Sequence, residues 1–320
     1  MSVVAAGTGT RASRPVVIDC DPGNDDALAI LMVAAAPELS LCGISTVAGN
    51  VCAERTAANG LALASWLGLD VPVTKGAYPL VRKYEPLDPS IMGTGGLGAT
   101  KLPEPERPLD ARTSAELLWD CAREHAGSLE ILATGPLTNL ALLLREHPEA
   151  RDMIKQIVLM GGSVNSGNTN PVAEFNIYTD AEAARVVFQS GIPLTMVGLD
   201  VCYEHRMVAA DFDHLLACGG ELGQFVADLF FYPEGGPRPF TERGVPVFDS
   251  LAAAALIDPS CAGAESYYVD VETKGELTYG QTVVDVRGRL RREPNVQVVT
   301  SFDHTRYLEL VERAVLWQAR

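Results

Sequence analysis

From residue 15 onward the chain repeats one pattern: a short apolar run, a turn of small or polar residues, then a helix-forming stretch. Residues 16–20 read as a strand. Residues 25–36, rich in Ala and Leu, read as a helix stopped by Pro37. Residues 40–49 and 51–67 repeat the pair, and so do 129–139 and 137–145. Residues 155–163 form a strand running into glycines, 179–191 a helix, and 192–200 another strand. Strands that alternate with helices in this way form a mostly parallel sheet covered on both faces. The expected fold is therefore α/β: a single domain over residues 15–320 with an open, mostly parallel sheet and a Rossmann-like core, preceded by a flexible tail over 1–14. Residues 267–273, 282–288 and 296–302 alternate with period two and suggest later, antiparallel strands. Residues 304–318 suggest a closing amphipathic helix.

Two stretches break the pattern. Residues 76–110 are rich in Pro and Gly and suggest a long excursion near a site. Residues 231–246 suggest a mobile loop beside a cleft.

Charge limits the partners. With 41 acidic against 25 basic residues in 320, the net charge is −16. That excludes a phosphate-binding basic face and disfavours an anionic membrane surface. No apolar run reaches the roughly 20 residues of a membrane span, and residues 1–15 do not read as a secretory signal. Seven cysteines without a CxxC pair are expected to be reduced core residues of a cytoplasmic protein, with no disulfide frame and no zinc site.

In a parallel α/β sheet, chemistry gathers beyond the carboxyl ends of the strands. Asp19, Asp21, Asp25 and Asp26 follow the first strand around a Pro-Gly turn. Helix capping accounts for one or two of them. Several carboxylates converging at a buried strand end would repel one another, and a hard divalent cation relieves that repulsion. A second cluster, GNTNPVAEFN, holds Asn168, Asn170, Glu174 and Asn176. It reads either as a loop of local Asx turns or as a rack of donors and acceptors for sugar hydroxyls. Gly93, Gly95 and Gly98 match GxGxxG, but neither the strand before nor the helix after that a dinucleotide site needs is present.

Taken in order, DCDPGNDDA, TVAGN, ATGPLTN, LMGG and GNTNPVAEFN closely resemble the nucleoside hydrolase family of the inosine–uridine preferring type, over nearly the whole chain from residue 15. The resemblance implies an enzyme that splits ribonucleosides into ribose and base. It implies Ca²⁺ held by Asp21, Asp26, Asp249 and the backbone carbonyl of Thr134, with Asp21 also the general base and Asp25 beside it at the reacting centre. Asp25, Asn50, Asn168, Glu174 and Asn176 would hold the ribose, and Met160 and Phe175 would line the sugar and base pocket. A homodimer or homotetramer is implied as well.

The sequence departs from the family at the leaving group. Phe248 and Met92 stand where many members carry histidines. Of the five histidines, His125 and His147 are expected to face solvent, His214 and His304 to lie in or beside helices, and His205 alone to fall near a strand end. Base contacts are therefore sought at Phe248, which can stack, and in the loop at Tyr232, Arg238, Glu242 and Arg243. Three alternatives stand beside a hydrolase of ordinary nucleosides. One is a hydrolase of another N-riboside whose base is already cationic. Another is a non-catalytic nucleoside binder. The third, a phosphatase suggested by DCD, is disfavoured by Gly23.

Overall fold

The computed structural model describes residues 13–105, 107–232, 236–237 and 244–318. Its centre is an eight-stranded sheet: Arg14–Cys20 (β1), Leu39–Thr46 (β2), Val73–Thr74 (β3), Leu129–Ala133 (β4), Ile154–Met160 (β5), Leu194–Val197 (β6), Ala262–Tyr267 (β7) and Val296–Phe302 (β8). The spatial order is β7-β8-β6-β5-β4-β1-β2-β3. Every pairing is parallel except that of β7 with β8. The run 3-2-1-4-5-6 is the doubly wound order, in which the chain leaves β1 in one direction and returns to β4 on its other side. The crevice at that reversal opens between the carboxyl ends of β1 and β4.

β1 and β4 are buried almost throughout, as central parallel strands must be. One face of the sheet carries the helices Asn24–Ala34 and Phe248–Ile257, both buried along nearly their whole length. A helix apolar all round belongs inside a protein, and the alanines at 252–255 let these two lie close. The other face packs the helices Ser114–Glu124, Thr138–Glu146 and Ala181–Phe188. Across the bottom of the sheet the Glu130 side chain, fully buried, is held by Arg14 at 2.7 Å and Lys155 at 2.6 Å.

The sequence pattern fails where burial does not follow it. Residues 262–267, AGAESY, carry no alternation because this edge strand is largely exposed. Residues 269–271 and 282–284 do pair antiparallel, but in a separate ribbon. Residues 296–302 join the main sheet, antiparallel to β7 as expected but parallel to β6 on the other side. Between β6 and the helix Phe248–Ile257 lie three helices, Leu199–Glu204, Ala209–Cys218 and Gly220–Phe230, of which only a helix at His214 was expected. The first has six residues, too few to show a period.

The turn after β3 approaches β2 closely. A Cβ at Gly76 would stand 1.6 Å from the Thr46 carbonyl oxygen, an atom that already accepts hydrogen bonds from Asn139 and Ser114. Gly76→Ala is expected to destabilise the protein by about 1–3 kcal/mol in urea denaturation. Gly95→Ala, with nothing within 4 Å of its added carbon, should change stability by under about 0.5 kcal/mol.

Candidate active site

β1 ends at Cys20, and the turn Asp21-Pro22-Gly23 leads straight into the helix Asn24–Ala34. The geometry brings Asp21, Asp25, Asp26 and, from the first turn of Phe248–Ile257, Asp249 to one buried place; all four are at most 5 % exposed. Carboxylate oxygens of Asp25, Asp26 and Asp249 lie within 4.8 Å of one another, a grouping that could hold a metal ion. Asp26 serves both of the roles considered above. Its Oδ2 accepts from the Gly23 amide (2.9 Å), which caps the helix, and from Asn50 Nδ2 (3.1 Å). Its Oδ1 accepts from the Thr134 hydroxyl (2.7 Å).

Asp21 is held on one side only. Its Oδ2 accepts from the Asn50 amide at 2.6 Å. Its Oδ1 is buried without a hydrogen-bond partner among the described residues. The loop from β2 passes so close that a Cβ at Gly49 would lie 2.0 Å from Asp21 Oδ2. Burial, with the Asp26 charge behind it, pushes the Asp21 carboxyl well above the usual carboxylate range. Burial together with Asp25, Asp26 and Asp21 does the same to Asp249, and burial raises Asp26. Buried carboxylates at this spacing cannot all ionise without a counter-charge.

The sugar-binding candidates come from β5 and the loop beyond it. Glu174 caps the helix Phe175–Thr179, accepting from the amides of Gly162 (3.0 Å), Asn176 (2.9 Å) and Ile177 (3.1 Å). Burial nevertheless raises its carboxyl to about 7. Asn176 Nδ2 donates to the carbonyls of Thr134 (2.8 Å) and Met160 (3.2 Å). The Thr134 carbonyl thus already accepts one bond and keeps one lone pair for another partner. Asn50 gives its side-chain amide to the Asp21 carbonyl and to Asp26. Asn170 is occupied by its own loop, accepting from the amides of Val172 and Ala173 and donating to the Tyr279 carbonyl.

A cleft of about 280 Å³ opens here. Of the residues expected at the site, Asp25, Asn50, Thr134, Met160, Asn168, Glu174, Phe175, Asn176, Phe248 and Asp249 line it, whereas Asp21, Asp26 and Asn170 do not. Leu87, Ile91 and Met92 also line it, so the 76–110 excursion does reach the site. Its GxGxxG lies in turns after the short helix Pro89–Met92, which disposes of a dinucleotide site there.

Tyr203 was not anticipated. It lines the cleft and packs edge-on against Phe248, with ring centroids 5.7 Å apart. The Arg206 guanidinium sits 5.2 Å from the centre of its ring. Its place just past β6 was the available signal. His205, two residues on, is not a lining residue; its ring lies against Phe302 and His304. His125 and His147 do not simply face solvent. Both are half-buried, one 3.4 Å from Cys42 Sγ and the other stacked on Trp119 at 4.1 Å. The cysteines are free, but Cys42, Cys52 and Cys218 are only half-buried rather than in the core. The Tyr232 side chain and all of Arg238, Glu242 and Arg243 lie outside the described residues.

The family model for the inosine-uridine preferring nucleoside hydrolase matches residues 16–309. The chain belongs to this family. It is 40 % identical over 309 residues to the pyrimidine-specific ribonucleoside hydrolase RihA of Salmonella typhimurium, covering 95 % of this chain and 99 % of that one. Its fold superposes on the purine-preferring ribonucleoside hydrolase from Gardnerella vaginalis with a TM-score of 0.86, at 31 % identity and 95 % and 98 % coverage. An inosine-guanosine nucleoside hydrolase gives 0.87, at 28 % identity and 96 % and 100 % coverage. The chain is thus an enzyme, a ribonucleoside hydrolase. No helix among its described residues is long and apolar enough to cross a membrane.

The carboxylate cluster of this nucleoside hydrolase yields a test that needs no substrate. In chelator-treated protein, Asp249→Asn removes one of the mutually repelling charges. It should raise stability to urea by about 1 kcal/mol or more, the order of relieving an uncompensated buried charge. A loss of stability would show that the cluster is not under electrostatic strain.

Proposed function

We propose that this nucleoside hydrolase is Ca²⁺-dependent, acts on pyrimidine ribonucleosides, and uses Asp21 as its general base. The observation that carries the reading is Asp21 Oδ1, a buried carboxylate oxygen without a hydrogen-bond partner among the described residues, on a carboxyl that feels the charges of Asp26 and Asp25 beside the grouping of Asp25, Asp26 and Asp249. The all-oxygen donor set of Asp21, Asp26, Asp249 and the Thr134 carbonyl suits a hard cation. When bound, Ca²⁺ would offset the carboxylate charges and hold oxygens of water and sugar in place.

The chain's own groups supply the rest. Asp21 Oδ1 takes the proton of the attacking water as its oxygen bonds to C1′. The C1′–N bond breaks with its electron pair going to the base, and positive charge builds on the ribose as in glycoside cleavage. Asp25 and Glu174 place negative charge beside that developing cation. Asn168 and Asn176 orient ribose hydroxyls, and Asn50 fixes the two acids it bonds. A 2′-deoxyribonucleoside leaves buried polar groups unmatched and is a poor substrate. Phe248 and Tyr203 form an aromatic wall for the base.

The pyrimidine preference rests on the 40 % identity to RihA. Phe248 and Met92, in place of histidines, support a second reading: ribosides with a cationic base, which leaves neutral and needs no acid. The same assignment takes residues 15–320 as one catalytic unit of a cytoplasmic homodimer or homotetramer. The free cysteines agree with a reducing compartment.

The deciding experiment is ribose release from uridine, cytidine, inosine, adenosine, 2′-deoxyuridine and 7-methylguanosine, with and without chelator. Uridine and cytidine should turn over fastest, and chelation should abolish release. Faster turnover of 7-methylguanosine would favour the second reading, and no release from any member would overturn both. Asp21→Asn should lower kcat by roughly 10²–10⁴-fold. Phe248→Ala and Tyr203→Ala should act mainly on KM.

Burial places the Glu174 carboxyl near 7, and a bound cation would draw it lower. The ionised form is the one that stabilises the cationic transition state. kcat/KM should therefore rise with pH on a limb at or below about 7. That limb should disappear in Glu174→Gln.

A further inference from the structure

Outside the cleft, one other cluster brings together side chains able to bind a metal. His214 and Cys218 sit four residues apart on the helix Ala209–Cys218, so they share one face. Glu312 faces them from the C-terminal helix His304–Val315. Ligand atoms of the three lie within 4.8 Å of one another. None of the three lines the cleft.

Geometry distinguishes this trio from an ordinary surface ion pair, which would be worth about 0–1 kcal/mol. His214 Nε2 and Glu312 Oε2 are 3.4 Å apart. Two ligands each about 2.1 Å from a zinc ion, at the tetrahedral angle, stand about 3.4 Å apart. The pair therefore already spans one edge of a zinc tetrahedron. Cys218 can supply the third corner from the half-buried side. The charges also close: one thiolate and one carboxylate balance a divalent cation, with His214 neutral.

We propose that His214, Cys218 and Glu312 form a site for a borderline-soft divalent cation of the zinc class. The fourth position faces solvent, since the His214 side chain is 58 % exposed and that of Glu312 is 42 % exposed. Binding releases the Cys218 thiol proton to solvent and clasps the two helices together. The donor set also separates this site from the carboxylate cluster. Nitrogen and sulfur select zinc-class ions, whereas an all-oxygen cluster selects hard ones. The sequence, with no CxxC, gave no reason to expect a zinc site. The trio joins residues nearly a hundred positions apart, so only the fold brings it together.

The test is titration of the intact protein with Co²⁺, in buffer holding excess Ca²⁺ to occupy the oxygen site. The expected result is a thiolate-to-cobalt charge-transfer band saturating at one ion per chain and bleached by Zn²⁺. Cys218→Ala should abolish the band. His214→Ala and Glu312→Ala should each weaken Co²⁺ binding at least tenfold. All three positions are exposed or half-buried, so the variants should melt within a few degrees of the parent without metal and hydrolyse nucleosides at the parent rate. Absence of the band would overturn the proposal. So would a band that survives Cys218→Ala, which would belong to another thiol such as Cys42 beside His125. Equal affinity in the His214→Ala and Glu312→Ala proteins would reduce the site to a lone thiol and overturn it as well. The readout is spectroscopic, so it stands whichever nucleosides the cleft hydrolyses.

Discussion

The mutual repulsion of buried carboxylates at the mouth of the sheet governs much of the architecture around them. Asp21, Asp25, Asp26 and Asp249 arrive from two segments more than two hundred residues apart in sequence and are nearly sealed from solvent. Water cannot screen them there, so the protein surrounds them with donors: the Gly23 and Asn50 amides, the Asn50 side chain and the Thr134 hydroxyl. These donors come from the loops after β1, β2 and β4. The doubly wound strand order is what brings those three loops to one crevice.

A further layer beneath the site reinforces it. Asp19, one turn of the pleat below Asp21, accepts from the Ser45 hydroxyl at 2.6 Å and from Asn139 Nδ2 at 2.8 Å. Asn139 also donates to the Thr46 carbonyl. β1, β2 and the helix Thr138–Glu146 are thereby tied below the point where Asp21, Asp25 and Asp26 emerge. Burial raises the Asp19 carboxyl to about 6, so this polar layer is costly as well as specific. Asp19 Oδ2 is buried without a hydrogen-bond partner among the described residues, so the layer is only partly satisfied, which adds to that cost.

Much of the site was legible because it is local. DCDPGNDDA carries three of the four acids in six residues, and AEFN carries Glu174 and Asn176, so each motif is one turn of chain with a chemical purpose. Asp249 is remote in sequence; the segment VFDSLAAAA marks it at a loop-to-helix junction, but only the family resemblance joins it to the other acids. Strands β1, β2, β4, β5 and β6 were legible because central parallel strands are continuously apolar. Edge strand β7 was not, since exposure removes the apolar signal. Over 199–230 only a helix at His214 was legible: the helix Leu199–Glu204 is too short to show a period, and Gly219 and Gly220 divide the other two. Tyr203 was missed for the same reason: its helix was unseen, and the imidazole of His205 drew attention as the more familiar acid-base group.

The two ends of the sheet differ in form but are both blunt. β3 contributes only two residues to one rim, too few to template another strand. β7, at the other rim, is longer, but its register slips at Gly263/Ala264 and it carries Glu265 in the exposed run. Short strands, bulges and edge charges are the devices by which open sheets avoid adding foreign strands. A doubly wound sheet has two open margins by construction, unlike a closed barrel. Here short length guards one margin, where the Asp110 amide also bonds the Val73 carbonyl, and a register slip and a charge guard the other, so the crevice stays open while the margins resist runaway strand addition.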